Sequence, residues 1–170
     1  MSFALRRATA ADGAAVRALF CESFTATFAH LYPPHELAEF LDGCSVPRFE
    51  AECAAADHAV MLGEAADGRL LGYCTLGPYD LPLDTDRRWW VLRMLYLREE
   101  AKGLGLAQAL MDWAIGEARA RGYQELYLTV WVDNHRARRF YEKYGFEEVG
   151  KYAYVVGTTV DDDRILRLTL

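Results

Sequence analysis

Leu95-Tyr96-Leu97-Arg98-Glu99-Glu100-Ala101-Lys102-Gly103-Leu104-Gly105-Leu106-Ala107 is the stretch that decides the fold, because it passes from strand through loop to helix within one short span. The run 89–97 is almost continuously apolar, as expected for a strand buried on both faces. From 103 to 121, Gly103, Ala107, Leu110, Ala114 and Ala118 fall on one helical stripe. Backbone N–H groups at a helix start have no intrahelical partner, and the helix dipole places partial positive charge there. Glycines let that backbone approach a diphosphate closely. The unit is a sensible anion cradle, although the same glycine pair alone more often serves plain turn chemistry.

Two phosphate motifs are excluded at this loop. A dinucleotide fingerprint needs Gly or Ala three residues after Gly105, where Gln108 stands. The Gly-Lys-Ser/Thr of a Walker loop occurs nowhere in the chain. The serines, Ser2, Ser23 and Ser45, sit in no nucleophile elbow, which argues against a serine hydrolase.

Working outward, residues 3–7 read as a first strand and 10–30 as a helix with Ala14, Ala15, Ala18, Leu19, Phe24 and Phe28 in helical spacing. Pro33 and Pro34 stop it and open a second helix, 34–42, and a third follows at 47–56. Residues 58–62 and 69–76 are strand-like, and Asp67-Gly68 between them signals a hairpin. After the 103–121 helix, 125–132 alternates as a strand. Asp133 or Asn134 then caps a helix that Gly145 closes. Strands at 147–156 and 164–170 end the chain. The polar, Pro-containing loop 80–88 precedes the buried strand, where it can border a site. One domain is expected over 1–170.

The 170 residues suit a single core, and the composition is that of an ordinary globular chain. No stretch is apolar enough to cross a membrane, and no apolar leader segment follows Arg6 and Arg7. The net charge of −6 and the lack of a basic run argue against nucleic acid. Cys21, Cys44, Cys53 and Cys74 form no C-x-x-C pair, and the four histidines are scattered, so structural thiols in a reducing cytoplasm and no metal are expected.

Lys102-Gly103-Leu104-Gly105-Leu106-Ala107 and, one strand later, Asn134-x-x-Ala137-x-x-Phe140-Tyr141-x-x-x-Gly145-Phe146 together resemble the two motifs of the GNAT superfamily of N-acetyltransferases. Lys102 stands where that family has Arg or Gln. The second motif is complete. The segment 27–33, with His30 and Tyr32, loosely resembles a branch that includes polyamine acetyltransferases. The resemblance implies an α/β fold with about seven strands in a mostly antiparallel twisted sheet, helices on both faces and splayed central parallel strands. It implies acetyl-CoA bound by Leu95, Tyr96 and Leu97, by 102–108 including Gln108, and by Asn134, Ala137, Phe140 and Tyr141. It also implies acetyl transfer to a small amine, polyamines among the candidates, or to a peptide amine, and it leaves a homodimer open. A non-catalytic acyl-CoA sensor on the same fold is the alternative, and a nucleotide-binding module of another class a weaker one.

The implied chemistry makes demands that the residues can meet. A lysine-like amine has a pKa of about 10.4 and must lose a proton before it attacks a thioester. A backbone N–H, by resemblance one at 95–97, would stabilise the charge on the thioester oxygen. Tyr141 matches the family's tyrosine that protonates the leaving thiolate. Yet Tyr141 shares a stripe with Phe140 and Tyr144, the pattern of core packing, and Asn134 also suits a plain N-cap. Trp89, Trp90 and Trp131 line a groove or fill the core; His30, Tyr32 and Trp131 are candidate substrate contacts. The 89–97 strand carries no acid, so the base is Asp84, Asp86 or Asp133 through water, or solvent alone.

Overall fold

The structure, a computed structural model, describes residues 2–170, so Met1 of the expected span lies outside the described residues. Seven strands form one sheet in the order β1-β2-β3-β4-β5-β7-β6. They are β1 (Phe3–Arg7), β2 (Ala59–Ala65), β3 (Leu70–Gly77), β4 (Trp89–Leu97), β5 (Glu125–Trp131), β6 (Glu147–Val156) and β7 (Thr159–Thr169). All neighbours are antiparallel except β4 and β5. The expected mixed fold, with its single parallel junction at the centre, is what the chain adopts.

Helices cover both faces. On one side lie α1 (Gly13–Phe28), α2 (Pro34–Gly43) and α3 (Val46–Ala54). Val16, Leu19, Phe20, Phe24, Leu37 and Phe49 from these helices meet Val60, Leu62 and Tyr73 of the sheet. On the other side lie α4 (Leu106–Ala120) and α5 (His135–Lys143), whose Leu106, Leu110, Met111, Ala114 and Ala118 meet Leu71, Leu92, Leu126 and Leu128. Each strand of the centre feeds both cores because its side chains alternate between faces.

Several element boundaries differ from expectation; β2 also runs on to Ala65, past the expected 62, and α3 stops at Ala54, short of the expected 56. The helix expected from 103 begins at Leu106, because Gly103 and Gly105 both take φ of +83°, which is incompatible with a right-handed helix. The first helix is shorter than 10–30: single 3-10 turns at Ala10–Asp12 and Ala29–Leu31 flank α1. The last strand begins at Thr159, five residues before the expected 164. Its Asp161-Asp162-Asp163 run has poor strand propensity, but a tight turn at 157–158 folds it onto β6, with Val156 opposite Thr159. Pairing on both sides, with β6 and with β5, overrides the local preference.

Candidate active site

The loop between β4 and α4 is made almost wholly of backbone. A 3-10 turn, Glu99–Ala101, buries Ala101, and Lys102 follows with its ammonium paired to Glu99. Gly103, Leu104 and Gly105 lead into α4, where Gly105 is the N-cap and brings no capping side chain. Among the described residues the N–H groups of Gly103, Gly105, Leu106, Ala107 and Gln108 donate to nothing; the first helical bond is Ala109 N–H to Gly105 O at 3.0 Å. No atom lies within 4 Å of where a Cβ would stand on Gly103 or Gly105. The fully buried Leu106 holds the helix start in place by filling the space that Gly63 and Gly72 leave on β2 and β3. The result is an open, electropositive rim of unsatisfied amides.

The loop follows directly from the end of β4 at which the sheet opens, and none of its residues lines the cavity there. β4 and β5 pair at only three positions, Trp89–Glu125, Trp90–Leu126 and Val91–Tyr127. Just beyond, β4 carries a bulge: Thr75 faces Met94 and Leu76 faces Leu92, so Arg93 is the extra residue. A bulge bends and twists its strand, and from there the two strands no longer pair. A cavity of about 480 Å³ opens in the gap. Met94, Leu95 and Tyr96 of β4 line it, with Leu128, Thr129, Val130 and Trp131 of β5.

α5 closes the cavity at one end. Asn134 caps the helix, its side-chain oxygen accepting the Ala137 N–H at 3.2 Å, and both residues also line the cavity. Tyr141 lies half-buried with its ring edge against Phe140 and Phe146. Its hydroxyl bonds to no group among the described residues, and burial pushes its pKa up. A neutral phenol with a free O–H thus borders the gap. Leu97 and Phe140, expected at the site, face the α4 and α5 core instead. Gln108 is exposed beside the loop, and its carbonyl accepts the Tyr144 hydroxyl at 3.3 Å.

Another wall is built from side chains. Asp163 on β7 stands opposite Trp131 of β5 and Tyr152 of β6, and Asp161 stands opposite Tyr154. Both aspartates are buried and line the cavity. The Tyr32 hydroxyl donates to Asp161. Burial, and then the neighbouring charges of Asp161 and Asp162, push the Asp163 carboxyl up to about 7, against the opposing pull of the Thr129 hydroxyl. Trp131 lines the cavity, with Phe28 and His30 edge-on to its ring at 6.4 and 5.7 Å; His30 itself is exposed. On the floor, Arg48 and Arg93 share Glu52 at 3.1 and 3.2 Å, and Arg93 also meets His58 at 2.7 Å.

The proposed acids do not reach this place. Asp84, Asp86 and Asp133 are exposed and off the cavity. Trp89 and Trp90 pack against Tyr127 and Tyr123. Asp161 and Asp163 lie in the segment expected to link the strands 147–156 and 164–170, so neither is among the expected site residues. Burial alternates with period two from Val160 to Ile165, but the residue types Val-Asp-Asp-Asp-Arg-Ile do not alternate between apolar and polar, so the sequence carries no local signal for them.

Comparison with known proteins agrees with this geometry. The profile of the Acetyltransferase (GNAT) family matches residues 14–146. An uncharacterised N-acetyltransferase of Mycobacterium tuberculosis (strain H37Rv) is 33% identical over 134 residues, spanning 78% of this chain and 81% of the relative. Among solved structures, the PaiA N-acetyltransferase of Thermoplasma acidophilum in complex with coenzyme A superposes with a TM-score of 0.80 at 21% identity, covering 100% of both chains. YncA of Salmonella typhimurium, a putative acetyltransferase solved with acetyl-CoA, gives 0.71 at 20% identity, over 100% of this chain and 95% of that one.

Proposed function

This chain belongs to the acetyltransferase (GNAT) family, and from that premise we propose that it transfers the acetyl group of acetyl-CoA to a primary amine of a small molecule or peptide by direct attack. The observation that carries the reading is the gap between β4 and β5, with free amides on the loop that follows β4 and a free phenol at the gap's side. The donor-free residues fit the donor. Five unpaired N–H groups and a helix N-terminus suit a diphosphate. The unpaired edge of β4 beyond Val91 gives an extended arm a strand to run along.

Acetyl-CoA, when bound, supplies the thioester carbon that the amine attacks and a thiolate as leaving group. The chain's own residues do the rest. Backbone N–H groups of 95–97 stabilise charge on the carbonyl oxygen. Tyr141, held neutral by its surroundings, donates its proton to the departing sulfur. Asn134 keeps α5 in register so that Ala137 and Tyr141 face the gap.

The test follows free thiol while acetyl-CoA is mixed with a panel of amines. Thiol release with at least one amine is expected; tight CoA binding without release would move the protein to the sensor class. Tyr141→Phe should lower kcat by about 100-fold with little change in CoA affinity. An unchanged rate removes Tyr141 from the mechanism.

A further inference from the structure

The described residues include three buried carboxylates. Glu125 is fully engaged: the Tyr127 and Thr85 hydroxyls donate to it at 2.7 and 3.1 Å, and Arg87 lies at 3.8 Å. Asp161 has only the Tyr32 hydroxyl. Asp163, 7% exposed, has the Thr129 hydroxyl but no cation and no N–H donor among the described residues. Buried charge without a counter-charge is costly, and a side chain kept in that state facing a cavity marks a ligand site. Its surroundings are of one kind. Tyr152 and Tyr154 come from β6, Tyr79 from the segment after β3 and Tyr96 from β4, and the apolar Phe24, Phe28 and Trp131 lie on the same cavity. Carboxylates among aromatic faces are the chemistry that receives an organic ammonium.

Resting on the acetyltransferase reading, we propose that Asp163 is the acceptor-binding base of this enzyme, positioned beside Asp161, and that its acceptor is a monoamine on an uncharged aromatic or aliphatic tail. The restriction to one ammonium comes from the floor. Arg48 and Arg93 face the same cavity with a single carboxylate, Glu52, between them, so a second ammonium on the tail meets net positive charge. The tail instead finds the rings of Phe24, Phe28 and Trp131.

The protons balance. The acceptor enters as R–NH3⁺ and gives one proton to the Asp163 carboxylate. The nitrogen lone pair forms the C–N bond, and the C–S bond breaks with its electrons on sulfur, which takes the Tyr141 proton. The amide nitrogen's remaining excess proton returns to Tyr141, and Asp163 releases its own to solvent. The sum is amide, free thiol and one proton.

Asp163 must be ionised to act, so kcat/KM should rise with pH through about 7 and level off above. Burial, Asp161 and Asp162 on β7 and Thr129 on β5 set this point; the tyrosines of β6, β4 and residues 32 and 79, with Arg48 and Arg93, face the same cavity. Asp163→Asn should cost about 100-fold in kcat and abolish that acid limb. Asp161→Asn should move the limb to lower pH, since it removes a negative neighbour. 2-Phenylethylamine should exceed spermidine in kcat/KM by at least about tenfold.

A readout free of the acetyl donor separates this proposal from the reading it rests on. In wild-type protein without acetyl-CoA, the Asp163 carboxyl carbon, followed by carbon-13 NMR, should titrate near 7 and shift to lower pH when 2-phenylethylamine is added. Titration in the ordinary carboxylate range, unmoved by the amine, overturns the site even if thiol is released. Thiol release by Asp163→Asn at the wild-type rate overturns the base, and a preference for spermidine overturns the acceptor class. Absence of release with any amine would remove the acetyltransferase reading alone, since the NMR shift would still report an ammonium site.

Discussion

The two ends of the candidate site are built from different materials. At the α4 end, the rim is backbone: five unpaired amides, two glycines and a helix start, with Lys102 tied to Glu99 at the surface. At the β7 end the lining is side chains from distant parts of the chain. Tyr32, Tyr79, Trp131, Tyr152 and Asp163 meet only because β7 inserts between β5 and β6. A backbone site tolerates almost any side chain so long as φ is permitted. A side-chain site tolerates almost any local sequence so long as the register is held. Changes at the two ends should therefore fail in different ways, and each should leave the other ligand's affinity intact.

The largest effect is expected at the backbone end. At Gly105→Val the added Cβ meets no atom beyond its chain neighbours, yet φ of +83° is hostile to a branched side chain. The left-handed conformation costs about 1–2 kcal/mol for an ordinary residue and more for valine, and relief comes by moving the amides. CoA affinity should fall about 10- to 100-fold by calorimetry, while amine binding to the donor-free protein stays as it was. Equal losses of both ligands would mean that the ends are not independent. At the side-chain end, Tyr32→Phe removes the one donor to Asp161 and leaves a buried carboxylate unsatisfied. Asp161, freed of that bond, offers the ammonium a second bare carboxylate, so the amine's KM should fall about fivefold, with CoA affinity unchanged.

The same contrast explains what could be read in the sequence. A backbone site is written contiguously, so Lys102 to Gln108 and Asn134 to Phe146 stood out as spacing, and the strand, loop and helix around them fell nearly where expected. The splay between β4 and β5 followed from the resemblance, but its structural cause, the Arg93 bulge, has no signature in a run as uniformly apolar as 89–97. The β7 end was illegible for a physical reason. Three consecutive aspartates are poor strand formers, so a local reading breaks the strand there and exposes all three, whereas cross-strand pairing keeps the strand and buries two. The search for a base accordingly turned to Asp84, Asp86 and Asp133, acids in loops, and passed over acids in a sheet.

The smallest effect tests the β7 end without any ligand. A carboxyl raised to about 7 in the fold, against 3.8 as its unperturbed value, binds more protons folded than unfolded between those values. Stability therefore falls as pH rises through that window, the reverse of the usual aspartate. Asp12, held down to about 2 by Arg6, has the usual sign and contributes stability that is lost only as pH falls below the normal carboxylate range. Asp163→Asn removes the buried charge and keeps the shape. Its Tm should match the wild type near pH 4, where the wild-type carboxyl is protonated in the fold, and exceed it by several °C at pH 8. Adding a monoamine at pH 8 should narrow that gap, because the ammonium supplies to the wild type the counter-charge that the variant no longer needs. A wild type more stable than the variant at pH 8 without amine would mean that Asp163 already has a partner within the protein, and the contrast between the two ends would lose its basis.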